Sequence, residues 1–80
     1  MRELADVVSA SWPPLDDAGD ETRETCVFRI ASLLGSRAPA KALADELARI
    51  RFELGEDSSP LEDARAAHAI AAWFAEASRA

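Results

Sequence analysis

Eighty residues with fifteen acids against nine Lys and Arg make a single domain, residues 1–80, with a formal charge of −6. Ala supplies 18 of the 39 apolar positions, so the core buries modest area per residue, and a partner or second copy would add to it. The acidic balance disfavours nucleic-acid binding, which needs clustered Lys and Arg. One His, one Cys and no Tyr leave little from which to assemble a catalytic pocket.

The first helix is expected over about Arg2 to Ser11, with Leu4, Val7, Val8 and Trp12 at helical spacing. Pro13-Pro14 ends it, because the residue before a proline is pushed out of helical geometry. A polar connection follows, with Asp20 as N-cap of a second helix that carries Cys26, Val27, Ile30, Leu33 and Leu34 and stops at Gly35. Pro39 suits the first turn of a third helix, where Leu43, Leu47, Ile50 and Leu54 step by four, three and four. Gly55 closes that helix, and Ser59-Pro60-Leu61-Glu62 reads as a capping box opening a fourth, from about Pro60 to Ser78. No segment alternates like a strand, so the fold class is all-α: a small bundle of four helices with short connections.

Wheels drawn at about 100° per residue set out the faces. In the third helix, Phe52 lies opposite the Leu/Ile stripe, among Lys41, Asp45, Ala48 and Arg49. In the second, Phe28 lies away from Ile30, beside Glu24 and Ser32. Two origins are open for this pair: a second buried face, covered by the first or fourth helix, or apolar anchors for an interface. The fourth helix turns Ala66, Ala67, Ile70, Trp73, Phe74 and Ala77 to the core, with His68 on its polar side.

Charge is segregated along the chain. Residues 1–25 hold two Arg and seven acids, residues 26–52 five basic residues and two acids, and residues 53–80 two Arg and six acids. Five acids fall within nine residues: Asp16, Asp17, Asp20, Glu21 and Glu24. Acids in a first helical turn complement the helix dipole, and a run this dense also offers an electrostatic surface to a basic groove. A second run comprises Glu53, Glu56, Asp57, Glu62 and Asp63.

Metal binding is not expected, since Cys26 and His68 are the only soft or imidazole ligands and Cys26 falls on a buried stripe. No nucleophile–base–acid set can be assembled, no Gly-rich phosphate loop is present, and no cofactor is expected. Leu54-Gly55-Glu56-Asp57-Ser58 resembles the stretch at which acyl and peptidyl carrier proteins, also small, acidic and helical, attach phosphopantetheine. The resemblance covers five residues and implies modification of Ser58; the chain departs from it in having 22 residues after Ser58 and Ser59-Pro60 where a hydrophobic residue follows the family's serine.

A lone cysteine, no signal-like apolar run and no membrane-length segment fit a cytoplasmic protein, and eight Arg to one Lys with abundant Ala fit a GC-rich bacterial or phage gene. The expected function is a non-enzymatic acidic module that inhibits or regulates a larger protein by occupying a surface, in the manner of immunity proteins, antitoxins or anti-defence inhibitors. The partner's surface would be basic, as where it holds nucleic acid. Asp16, Asp17, Asp20, Glu21 and Glu24 supply the charge, and Phe28 and Phe52 the apolar anchors. The alternative is an accessory or self-assembling domain, a homodimer included, built on the Ala-rich fourth helix with Trp73. A third reading is a small DNA-binding regulator with Arg37, Lys41, Arg49 and Arg51 as its basic face, which Asp45, Glu46 and the total charge oppose.

Overall fold

Prolines and glycines divide the chain into α1 (Arg2–Ser11), α2 (Asp20–Gly35), α3 (Ala40–Glu53) and α4 (Pro60–Ala77), with a 3₁₀ turn at Pro13–Asp17 between α1 and α2. The structure is a computed structural model describing residues 2–79, with the side chains of all of these but Arg2 and Asp17. The described residues form an all-α bundle without strands, as the sequence predicts.

Several helix ends depart from expectation in detail. Gly19, in extended conformation, precedes α2, and Asp20 is the first helical residue, where its charge still faces the positive end of the helix dipole. Pro39 likewise stands just ahead of α3. Gly35 remains helical, and the left-handed residue that turns the chain out of α2 is Arg37, at φ 59°. Its N–H reaches the Leu34 carbonyl, and the next N–H, of Ala38, reaches Leu33. Gly55, at φ 76°, forms the same pair of bonds at the end of α3: its own N–H to Phe52 and that of Glu56 to Arg51. The expected capping box does not form, because the Ser59 side chain caps nothing and Glu62 is engaged by Arg51. Pro60 does occupy the first turn of α4.

The polar connection after Trp12 is more ordered than its composition implies. Proline fixes φ near the helical value, so Pro13-Pro14 starts a turn as readily as it ends α1. That turn carries Leu15 into the core, where neither Leu15 nor Trp12 has any exposed surface. Around them pack Leu4 and Val8 of α1, Cys26, Val27, Ile30 and Leu34 of α2, Leu43, Leu47 and Ile50 of α3, and Ala66, Ala67 and Ile70 of α4. Each Val, Leu or Ile so buried contributes roughly 1.5–3 kcal/mol. The most extensive helix pairing is between α3 and α4, and the small Ala66 and Ala67 side chains permit the close approach. Trp73 and Phe74 are only half-buried and Ala77 is exposed, so the apolar face of α4 fades toward its C-terminus. No helix among the described residues is long and apolar enough to cross a membrane.

Candidate interaction surface

α2 presents one solvent-facing strip that combines charge with an aromatic ring. Glu21, Glu24, Thr25, Phe28 and Ser32 recur at the three- and four-residue spacing of a single helix face, and all are exposed. Phe28 is 64% exposed. The hydroxyls on the strip are turned back onto their own helix: Thr25 Oγ1 donates to the Glu21 carbonyl at 3.1 Å, and Ser32 Oγ to the Phe28 carbonyl at 3.0 Å. Glu21 and Glu24 are therefore the charged groups left facing outward beside the ring, with exposed Asp20 flanking them at the N-terminus of α2. Asp16, in the 3₁₀ turn, is also exposed but lies 3.4 Å from Arg23 Nη2, which offsets part of its charge. The Asp17 side chain lies outside the described residues.

Phe52 stands on a different helix face. It is 84% exposed on α3, in line with exposed Lys41, Asp45, Ala48 and Arg49. No helix of the bundle covers Phe28 or Phe52, so the second-buried-face origin is corrected: neither ring belongs to the core. Asp20, Glu21, Glu24 and Phe28 share one end of α2, whereas Phe52 borders a cleft between α3 and α4.

Two arginines that the sequence reading did not single out as structural tie the helices together. Arg29 of α2 bonds both Glu46 and Glu53 of α3, with Nη1 3.0 Å from Glu53 Oε1. These bonds hold the Glu53 carboxyl below the usual carboxylate range. Burial pushes the nearby Cys26 thiol up, with Arg29 pulling the other way.

Arg51 is buried, and so is Asp63. Asp63 Oδ1 accepts from Trp12 Nε1 at 2.8 Å, Arg51 Nε at 3.0 Å and Arg51 Nη2 at 2.8 Å. Arg51 also donates to Glu62 at 2.6 Å and to the Asp57 carbonyl at 3.3 Å, and its guanidinium carbon lies 5.5 Å from the centre of the Trp12 ring. Burial works against the Arg51 charge, but the bonds from Glu62 and Asp63 outweigh it and its pKa is raised.

These contacts redistribute the charges read from the sequence. Arg51 is withdrawn from the proposed basic face, leaving Arg37, Lys41 and Arg49 exposed there. In the second acidic run, Glu53, Glu62 and Asp63 face arginines of the same chain. The N-terminal run keeps Asp20, Glu21 and Glu24 facing solvent. A signal for the buried pair was present: Asp63, Ala66, Ala67 and Ile70 share one helical stripe, and Arg51 falls four residues after Leu47 and three before Leu54. Opposite charges on the core stripes of two consecutive helices point to a buried pair.

At the other end of the bundle Leu4, Ala31, Leu34, Trp73 and Phe74 line a shallow apolar groove. Cys26 is buried and unpaired, and His68 is exposed. Among the described residues, no three of His, Cys, Asp and Glu are placed to hold a metal ion. Set against known proteins, the chain matches no protein-family model, no curated protein and no solved structure.

Proposed function

We propose that the chain is a non-enzymatic, cytoplasmic protein-binding module that regulates or inhibits a larger protein by covering a basic surface, its acids standing where nucleic-acid phosphates would otherwise lie. The observation that carries the reading is the outer strip of α2, where Glu21, Glu24 and a Phe28 ring that is 64% exposed lie on one helical face. Acids draw a basic partner by long-range attraction, and a desolvated aromatic then slows its release. Asp20 extends the charged end, and Asp16 and Asp17 precede it in the chain.

Capture of a partner from native host lysate on the tagged protein tests the reading. A stoichiometric partner is expected at low salt and lost at high salt. Its retention should disappear in a Glu21→Lys, Glu24→Lys double variant and fall in Phe28→Ser, all of which keep the wild-type melting temperature. A partner held equally by the charge-reversed protein sinks the reading. The second reading, self-assembly, draws on the apolar groove beside half-buried Trp73 and Phe74. It predicts a defined homo-oligomer whose mass does not depend on salt.

A further inference from the structure

The outward face of α3 carries an order of residues that is complementary to itself when a second copy runs antiparallel. Lys41, Asp45, Ala48 and Phe52 step by four, three and four, the spacing of a seam along which two helices pack, and lie opposite the buried Leu43, Leu47 and Ile50. All four are exposed, and Phe52, at 84%, is more exposed than Phe28 or Leu61 at 64% each. Arg49, also exposed, flanks the seam. None of Lys41, Asp45 and Arg49 forms an ion pair among the described residues, although Asp45 and Arg49 stand about one helical turn apart. Two basic residues and one acid leave this face at +1 in a chain of −6, so two copies can meet here without opposing their acidic runs.

We propose that two copies of the chain associate through this face, α3 against α3, as an antiparallel pair with its two-fold axis midway between residues 46 and 47. In that register Phe52 of each copy lies along the methylene stem of the partner's Lys41, and the ammonium above the ring adds cation–π attraction. Asp45 stands beside the partner's Arg49, and the small Ala48 opposite the partner's Asp45 lets the helix axes approach. Sliding one copy by four residues toward the C-terminus would instead bring the two Arg49 side chains together, so the charges select one register. The contact uses the same patch on both copies and therefore closes at two. A helix of 14 residues is about 21 Å long, so one such pairing is a small interface, with a dissociation constant on the order of 10 µM. The inference does not rest on the α2 strip, none of whose residues enters the contact.

The test is sedimentation velocity of the purified full chain from about 1 µM to about 1 mM, a range that brackets the expected constant. A reversible monomer–dimer equilibrium is expected. Phe52→Lys, which sets like charges against each other at both ends of the contact, should weaken it about thirtyfold, as the loss of an interface anchor does. Asp45→Arg should weaken it about tenfold by opposing the partner's Arg49, and adding Arg49→Asp should restore the wild-type constant to within about threefold. All three positions are exposed, so the variants should melt close to wild type. A chain that stays monomeric throughout overturns the proposal, as does an assembly larger than two, a dimer indifferent to Phe52→Lys, or a charge swap that fails to rescue. A dimer held through the apolar groove would be indifferent to all these variants. The purified chain needs no host partner, so failure here condemns the α3 contact alone, whereas failure of salt-sensitive capture condemns the α2 strip.

Discussion

Arg29 and Arg51 perform the same task in different surroundings. Each projects from one helix and bonds two carboxylates, Arg29 joining α2 to α3 and Arg51 joining α3 to α4. The Arg29 side chain is 26% exposed and its partner Glu53 52%, whereas Arg51 is 8% exposed and Asp63 4%. Water can replace either partner of the first pair at little cost. In the second it cannot, so Arg51 and Asp63 each depend on the other for hydration lost on folding. Bond count therefore says little about importance, and solvent access says much.

Removing Arg51 should produce the largest effect. Arg51→Ala strands the Asp63 carboxylate in the core, at an expected cost of about 3–5 kcal/mol. For a chain of this length that lowers the melting temperature by on the order of 12 °C or more, measurable by circular dichroism. Replacing both charges, as Arg51→Met with Asp63→Leu, should recover most of that loss. If the double variant is as unstable as the single, the stranded-charge account is wrong.

Trp12→Phe comes next. It removes one donor to Asp63 Oδ1 and weakens the ring's attraction for Arg51, but leaves two Arg51 donors in place. The expected loss is about 1–2 kcal/mol by denaturant unfolding. Arg29→Ala should cost about 1 kcal/mol, well short of Arg51→Ala, because Glu53, 52% exposed, regains water, while Glu46, 16% exposed, regains it only in part. A loss comparable with that of Arg51→Ala would mean that solvent access does not separate the two arginines.

The smallest effect is a pH dependence. In the folded chain the Glu53 carboxyl lies below its ordinary value because Arg29 donates to it. A depressed folded value means that the unfolded chain binds the proton first as pH falls, so the contribution is present above the unfolded value and lost on descending through the folded one. The stability difference between wild type and Arg29→Ala should therefore shrink on acidification across that interval. A carbon-detected titration should show Glu53 shifting upward in the variant.

Much of the fold was legible because prolines and glycines act locally. Pro13, Gly55 and Pro60 place helix ends from backbone geometry alone, and the Leu43, Leu47, Ile50 stripe identifies the buried face of α3 without reference to its neighbours. What escaped depended on other helices. Ser59 and Glu62 make a sound capping box in isolation, but Arg51, eleven residues before Glu62, competes for that carboxylate. Arg37 takes the left-handed position that Gly35 was expected to announce, since two bonds to Leu33 and Leu34 outweigh its steric preference. Of the candidate surface, the chain order alone revealed that Glu24, Phe28 and Ser32 share a face, while Glu21 was visible only as a member of the acidic run. Whether Phe28 and Phe52 were covered was a question of packing, and their exposure answers it.

The two tryptophans give the chain separate optical reporters. Trp12 is fully enclosed and stacked near a guanidinium, while Trp73 sits half-exposed in the groove at the far end of α4. Ten residues of helix separate Asp63, the Trp12 acceptor, from Trp73, about 15 Å along the axis. Emission from Trp12→Phe and Trp73→Phe variants thus reads the two ends of the bundle one at a time. Fraying at the groove would redden only the Trp73 signal, whereas rupture of the arginine network would appear first in Trp12.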